Sequence, residues 1–196
     1  MMKLQEAKQK ADELVAMMQP FLERCEIAGS IMREKDECND IEIVVVPKWE
    51  LQDNPLDLFG GQVAVNLLHE FLIHSDIRWI YKRNGETFPA MPQPTAKMMK
   101  GVLPGGAQLD LFLATPDNFG LIKMIRIGSA DFSHAMVERA RQIGKPSRDG
   151  FLHVRGEQIA TPEERDVFRA LGVEWIEPRE RTGADAMKII GFGVSE

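Results

Sequence analysis

The stretch Asp40-Ile-Glu-Ile-Val-Val-Val46 constrains this chain more than any other seven residues. Its run of Ile and Val, closed by Pro47, reads as a buried strand. Side chains alternate along a strand, so Asp40 and Glu42 point to one face while Ile41, Ile43 and Val45 point into a core. Two carboxylates on such a strand are costly without partners. The oddity recurs in Gln108-Leu-Asp-Leu-Phe-Leu113, where Asp110 interrupts a second apolar strand. If the two strands are neighbours, three carboxylates converge, and they repel one another unless cations hold them together. Hard oxygen donors of this kind suit magnesium or manganese, which makes Asp40, Glu42 and Asp110 the expected metal ligands.

An Asp-x-Glu pair alone is more often the wet end of a strand, so its surroundings matter. Ten residues before Asp40 stands Gly29-Ser30-Ile-Met-Arg33. Glycine lets the backbone approach closely. Ser30 offers a hydroxyl and an N–H, and Arg33 a fork of donors for phosphate oxygens.

Together, Gly29-Ser30, Arg33 and Asn39-Asp40-Ile-Glu42 resemble the signature of the DNA polymerase X (polymerase β-like) family of nucleotidyltransferases. Gln108 to Asp117 resembles that family's third-carboxylate strand. Phe119 to Phe132, with Gly128-Ser129, resembles the start of a helix in its thumb, and Glu163 to Arg181 the thumb's end. The likeness runs from about Cys25 to Arg181 and is greatest to short members with palm and thumb alone.

The resemblance implies an α+β fold. A nucleotidyltransferase palm, a mixed sheet with helices, would occupy residues 1–116. A small, mainly helical thumb would occupy 117–196. It implies a gap-filling, repair-type DNA polymerase working by two-metal transfer, with Asp40, Glu42 and Asp110 as catalytic carboxylates around two Mg2+ ions, Mn2+ substituting. Gly29, Ser30, Arg33 and Asn39 would hold a nucleoside triphosphate, and Gly128 and Ser129 would face its sugar. His134, Arg139, Arg141 and Arg148 would touch gapped or primed DNA. No N-terminal lyase domain is expected, nor 5′-deoxyribose-phosphate lyase activity. The chain departs from the family at several positions. Glu42 stands where Asp is usual, and Met32 where Arg is often found. Ile125-Arg126 replaces an aromatic pair, Ser133 a common Asn, and Gln108 a basic residue.

The net charge of -6 is awkward for a partner of phosphate backbones, but its distribution is uneven. From Lys123 to Arg155 seven basic residues face three acidic ones, whereas residues 1–116 carry 12 basic and 17 acidic. Two further readings follow. One is a template-independent nucleotidyltransferase acting on RNA ends, a small molecule or a protein. The other is a non-catalytic DNA-end-binding module, for which three such carboxylates would be needless. Cys25 and Cys38 are too few and too far apart for a disulfide framework or a zinc site. No apolar run has transmembrane length, and a cytoplasmic monomer is expected.

The pattern also predicts local structure. Lys3–Glu23 and Gly61–His74 read as amphipathic helices, the second with Val63, Leu67, Leu68, Phe71 and Leu72 inward. Ile77–Lys82 and Thr87–Met91 read as a hairpin turning at Asn84-Gly85, and Lys97–Leu103 with Ala107–Leu113 as a second strand pair. After Pro116 helices take over. Ser129 caps one over Ala130–Ile143, and Thr161-Pro-Glu-Glu164 forms a capping box opening another that stops at Gly172. Trp49, Trp79 and Trp175 are expected as core or subdomain anchors. His69 and His74, five apart, are not spaced to share a metal.

Overall fold

The computed structural model describes residues 1–54, 60–83 and 86–191. A two-residue strand, β1 (Met2–Lys3), leads into helix α1 (Leu4–Met18). Ala7, Ala11, Leu14 and Met18 make its buried stripe. The helix expected to reach Glu23 stops early because Pro20 has no N–H to donate. A 3-10 turn (Gln19–Phe21) delivers the chain into β2 (Leu22–Ile27). There follow α2 (Gly29–Met32), β3 (Glu37–Cys38), β4 (Asp40–Pro47), β5 (Trp49–Asp53), β6 (Gln62–Asn66) and α3 (Leu67–Ile73). Strands β7 (Arg78–Arg83), β8 (Glu86–Pro89), β9 (Met98–Val102) and β10 (Gln108–Leu113) complete this half.

Six of these strands form one mixed sheet in the order β2-β4-β10-β9-β7-β8. The central pair, β4 and β10, is parallel, and every other neighbouring pair is antiparallel. One face buries Ile41, Ile43, Val45, Leu109 and Leu111 against α1 and against Leu68 and Leu72 of α3. On the other face Val44, Val46 and Phe112 pack beneath Phe119 and Ile127 of α4 (Phe119–Ile127). Along β4 the carboxylates come first and the apolar residues next, so α4 covers the sheet beyond Glu42.

The helix expected over Gly61–His74 is half strand. Gln62–Asn66 pairs antiparallel with β5, and Val63 is exposed rather than inward. Asn66 accepts the His69 N–H at 3.2 Å and so starts α3 at Leu67. The β7–β8 hairpin forms with Tyr81 opposite Phe88; its turn, Asn84-Gly85, lies outside the described residues. The β9–β10 hairpin closes through the Leu103 N–H to the Ala107 carbonyl at 2.8 Å. Trp49 is no core anchor, being 46% exposed on β5, whereas Trp79 is buried and donates its ring N–H to the Leu72 carbonyl.

Beyond α4 lie α5 (Ala130–Gln142), β11 (Ser147–Arg148), β12 (Phe151–Val154), β13 (Glu157–Ile159), α6 (Glu164–Leu171), a 3-10 turn (Pro178–Glu180) and α7 (Gly183–Gly191). Phe132, Met136, Leu152, Val167, Phe168 and Leu171 make a core separate from that under the sheet. The three short antiparallel strands β11, β12 and β13 were not foreseen from the sequence. Ser129 caps α5 as expected, accepting the Phe132 N–H at 3.3 Å. The expected capping box moves by two residues. Glu163 and Asp166 form it, and Thr161 is instead buried. The Thr161 N–H meets the Asp117 carbonyl at 2.6 Å, and its own carbonyl accepts the Gly120 N–H at 2.8 Å. Gly172 ends α6 with a left-handed φ of 63°.

Candidate active site

Parallel pairing of β4 and β10 sets Asp110 opposite Glu42 and Gln108 opposite Asp40. Cross-strand partners share a face, so the three expected carboxylates stand together on the open part of the sheet. Asp110 is 7% exposed, and the other two are half-buried. Burial holds the Asp40 carboxyl above its ordinary range, and the Asp110 charge adds to this; Lys100 and Arg33 oppose it. Glu42 is pushed up to about 7, first by burial and then by Asp40 and Asp110, against the pull of Arg33 and Arg126. The cluster carries more negative charge than its surroundings accommodate.

The structure also fixes Asp110 from an unexpected side. In the antiparallel pairing of β9 with β10, Lys100 lies opposite Asp110, and its ammonium donates to Asp110 Oδ2. Among the described residues no three His, Cys, Asp or Glu side chains are gathered closely enough to hold an ion in this arrangement. By donor type Asp40, Glu42 and Asp110 nonetheless fit a divalent cation, Asp40 and Glu42 having no ion-pair partner among the described residues and Asp110 being already committed to Lys100.

The Gly29-Ser30 turn is stitched to β4 by the Ala28 N–H, which donates to the Glu42 carbonyl at 2.8 Å. Gly29 has φ +64°, and a Cβ there would lie 1.9 Å from Glu42 Oε2, so any other residue would displace the Glu42 carboxylate on a backbone that favours glycine. The Ser30 hydroxyl and Arg33 Nε are buried and have no protein partner. Arg33 Nη1 donates to the Ile127 carbonyl and, at 3.1 Å, to that of Gly128. The residue expected to fork onto phosphate is thus docked on the C-terminal end of α4. Asn39 is exposed immediately before Asp40.

Gly128 and Ser129, expected to face a sugar, have structural engagements. A Cβ on Gly128 would meet the Phe132 ring at 2.4 Å, and the Ser129 hydroxyl is spent on the α5 cap. The neighbouring Arg126 lies with its guanidinium 4.0 Å over the Phe112 ring. Burial lowers its pKa, and Glu42 and Asp110 pull the other way. Of the expected DNA contacts, His134 and Arg148 are exposed. Arg139 donates to the Leu171 carbonyl at 3.2 Å, and Arg141 binds Glu138 at 2.6 Å. Lys145 in turn is held by the Ala170 carbonyl at 2.6 Å.

Lys100 and Arg126 are the site residues that sequence reasoning missed. Counting back from the turn at 104–106 places Lys100 opposite Asp110, so the hairpin itself carried that signal. Arg126 was visible only as a departure from an aromatic pair. A third feature, the seam between the two halves, had no local signature. Arg24 on β2 forks onto Glu163 at 2.8 Å and onto Glu26 at 2.7 Å, 3.9 Å above the Phe119 ring. Lys123 joins Glu26 to Glu164, and Glu164 meets Arg181 at 2.6 Å.

Residues 124–182 match the family model of the DNA polymerase beta thumb. Among solved structures, the chain resembles the Leishmania infantum polymerase beta of a ternary P/T complex, at 17% identity and a TM-score of 0.64. That likeness covers 92% of this chain and 76% of the other. The chain has a polymerase β-type fold with a polymerase β-type thumb. No curated protein matches it by sequence. Helices α5, α6 and α7 enclose their own core, and α4 lies between that core and the carboxylate-bearing sheet. No helix among the described residues is long and apolar enough to cross a membrane.

Proposed function

We propose that this chain is a nucleotidyltransferase of the polymerase X type, adding dNMP to a primer 3′-hydroxyl on gapped or primed DNA. The observation that carries the reading is the register that places Asp110 opposite Glu42, two residues from Asp40, beside the Gly29-Ser30 turn. The thumb match makes a polynucleotide the favoured acceptor. Asp40, Glu42 and Asp110 would hold two magnesium ions, or manganese in their place, and such ions would neutralise phosphate charge and activate the attacking hydroxyl. In-line transfer of this kind depends on positioning and charge more than on covalent help. Gly29 leaves room for Glu42 under the turn. The Ser30 hydroxyl and Arg33 Nε are buried without a protein partner, and as donors they would suit triphosphate oxygens once the turn admits them.

The test is primer extension on one-nucleotide-gapped DNA, with each dNTP and rNTP, in Mg2+ and in Mn2+. Template-directed addition is the expected result, and no extension with either metal would exclude the reading. One observation favours a second reading, transfer without a template. Arg139 and Arg141, two of the expected DNA contacts, already bond within the protein. Equal incorporation of all four nucleotides regardless of template would select that alternative.

A further inference from the structure

Asp110 is the most deeply buried of the three carboxylates, and its ion-pair partner among the described residues is Lys100. The pairing follows from the backbone, because β9 and β10 place the two residues directly opposite. The Lys100 side chain is one-third exposed and that of Asp110 one-tenth, so the ammonium has a route to solvent that the carboxylate lacks. A lysine head is a compact point charge on a flexible stem, and it can withdraw without rearranging the strand. Among the described residues neither Asp40 nor Glu42 has an ion pair of its own: Lys100 acts on Asp40 more than Arg33 does, Arg33 acts on Glu42 more than Arg126 does, and Arg33 Nη1 is spent on backbone carbonyls.

We propose that Lys100 is an internal counter-cation that holds Asp110 away from Asp40 and Glu42 and must be displaced by an incoming divalent cation. The inference rests on the reading of Asp110 as a metal ligand given above. It accounts for a site whose donors are right and whose face is shared, yet whose three carboxylates are not gathered as a cage. Lys100 and a bound divalent ion compete for the same carboxylate, so the lysine lowers metal affinity. It also protects the sheet from three uncompensated charges while the ion is away. Once released, its ammonium stays next to Asp110, where it can meet a negatively charged oxygen of the primer terminus or the nucleotide.

Direct Mn2+ binding to the full chain, without nucleotide or DNA, tests this. Free Mn2+ is followed by electron paramagnetic resonance for the wild type, K100M and K100R, each in the native and in the D110N background. K100M should bind Mn2+ about tenfold more tightly than the wild type, the effect of removing one competing contact. K100R should bind it less tightly, because a guanidinium fork grips a carboxylate better than an ammonium. Mn2+ should also raise the melting temperature of K100M more than that of the wild type. In the D110N background the Lys100 substitutions should make no difference. Any other order of affinities in the native background overturns the proposal, and the K100R-to-wild-type comparison decides it even where K100M does not fold. An equal gain in D110N overturns it too, since the lysine would then act through net charge alone. If neither wild type nor K100M binds Mn2+, the metal reading of the site fails with it. Wild-type binding that Lys100 does not modulate removes this inference and leaves the proposed function standing.

Discussion

In the thumb, Arg181 is wholly buried, yet Glu164 meets it at 2.6 Å, the Ile176 carbonyl accepts its Nε–H at 3.0 Å, and the rings of Phe168 and Trp175 lie 5.1 and 4.8 Å from its guanidinium. On the sheet, Asp40, Glu42 and Asp110 stand on one face with two of the three carboxyls held above their ordinary range. Both regions bury charge. The thumb sets Arg181 against Glu164 and against polarisable rings, which is how a buried ion serves a fold. The sheet pairs Asp110 with Lys100 but leaves Asp40 and Glu42 without an ion-pair partner among the described residues, at a cost that folding alone gives no reason to bear. Local balance therefore separates the buried charge of the thumb from the carboxylate face on which the proposed chemistry rests.

Substitutions on the two sides should fail in opposite ways. On the proposed reading, D110A should lower primer extension by about three orders of magnitude or more, the scale on which a preorganised charge acts. Its melting temperature should change little, because a charge that repels its neighbours is removed along with the Lys100 pair. R181M should do the reverse. It strands Glu164 in a buried position, with Lys123 at 3.4 Å the remaining cation against it, and breaking a buried pair costs about 3–5 kcal/mol. Thermal unfolding should show a drop on the order of 10 °C, with extension measured well below that transition largely kept. A D110A protein that melts early, or an R181M protein that melts normally, would break the comparison.

A third variant sharpens it at the junction of turn and strand. G29A places a methyl where Glu42 Oε2 now lies, at 1.9 Å, on a backbone of φ +64°. Glu42 must move by about an ångström. A shift of that size at a reacting centre costs about 100-fold in rate, while the left-handed alanine costs about 1 kcal/mol in stability. Steady-state extension and thermal melting on the same preparation separate the two effects.

Much of this contrast was legible in the sequence. The Asp40-Ile-Glu42 alternation fixed which side chains share a face, and the apolar runs around Glu42 and Asp110 marked both strands as buried. Their adjacency was only an assumption, because parallel pairing across 70 residues leaves no local trace. The Gly61–His74 segment misled for a different reason. Val63, Leu67 and Leu68 fit a helical stripe, but Asn66 starts a helix, and the β-branched residues before it pair with Trp49–Asp53. The network of Arg24, Glu26, Lys123, Glu163, Glu164 and Arg181 was illegible, since each is an ordinary surface residue until the chain is folded.

The smallest expected effect tests the sheet's imbalance without changing its chemistry. Glu42 titrates near 7 in the fold against an ordinary 4.5. Between those values the folded chain holds a proton that the unfolded chain has lost, so stability falls as pH rises through this window and levels off above it. Such a slope is opposite in sign to that of a salt-bridged carboxylate, which stabilises as it ionises. Glu42 is only half-buried, so solvent screening limits the loss to on the order of 1–2 kcal/mol. Calorimetric melting in EDTA at pH 5.0 and 7.5 should show it, and E42Q should flatten it. Adding Mg2+ at pH 7.5 should recover the loss in the wild type, because a bound cation favours the ionised carboxylate. A melting temperature that rises from pH 5.0 to 7.5 in EDTA would mean that the carboxylate face is already balanced, and the contrast with the thumb would lose its basis.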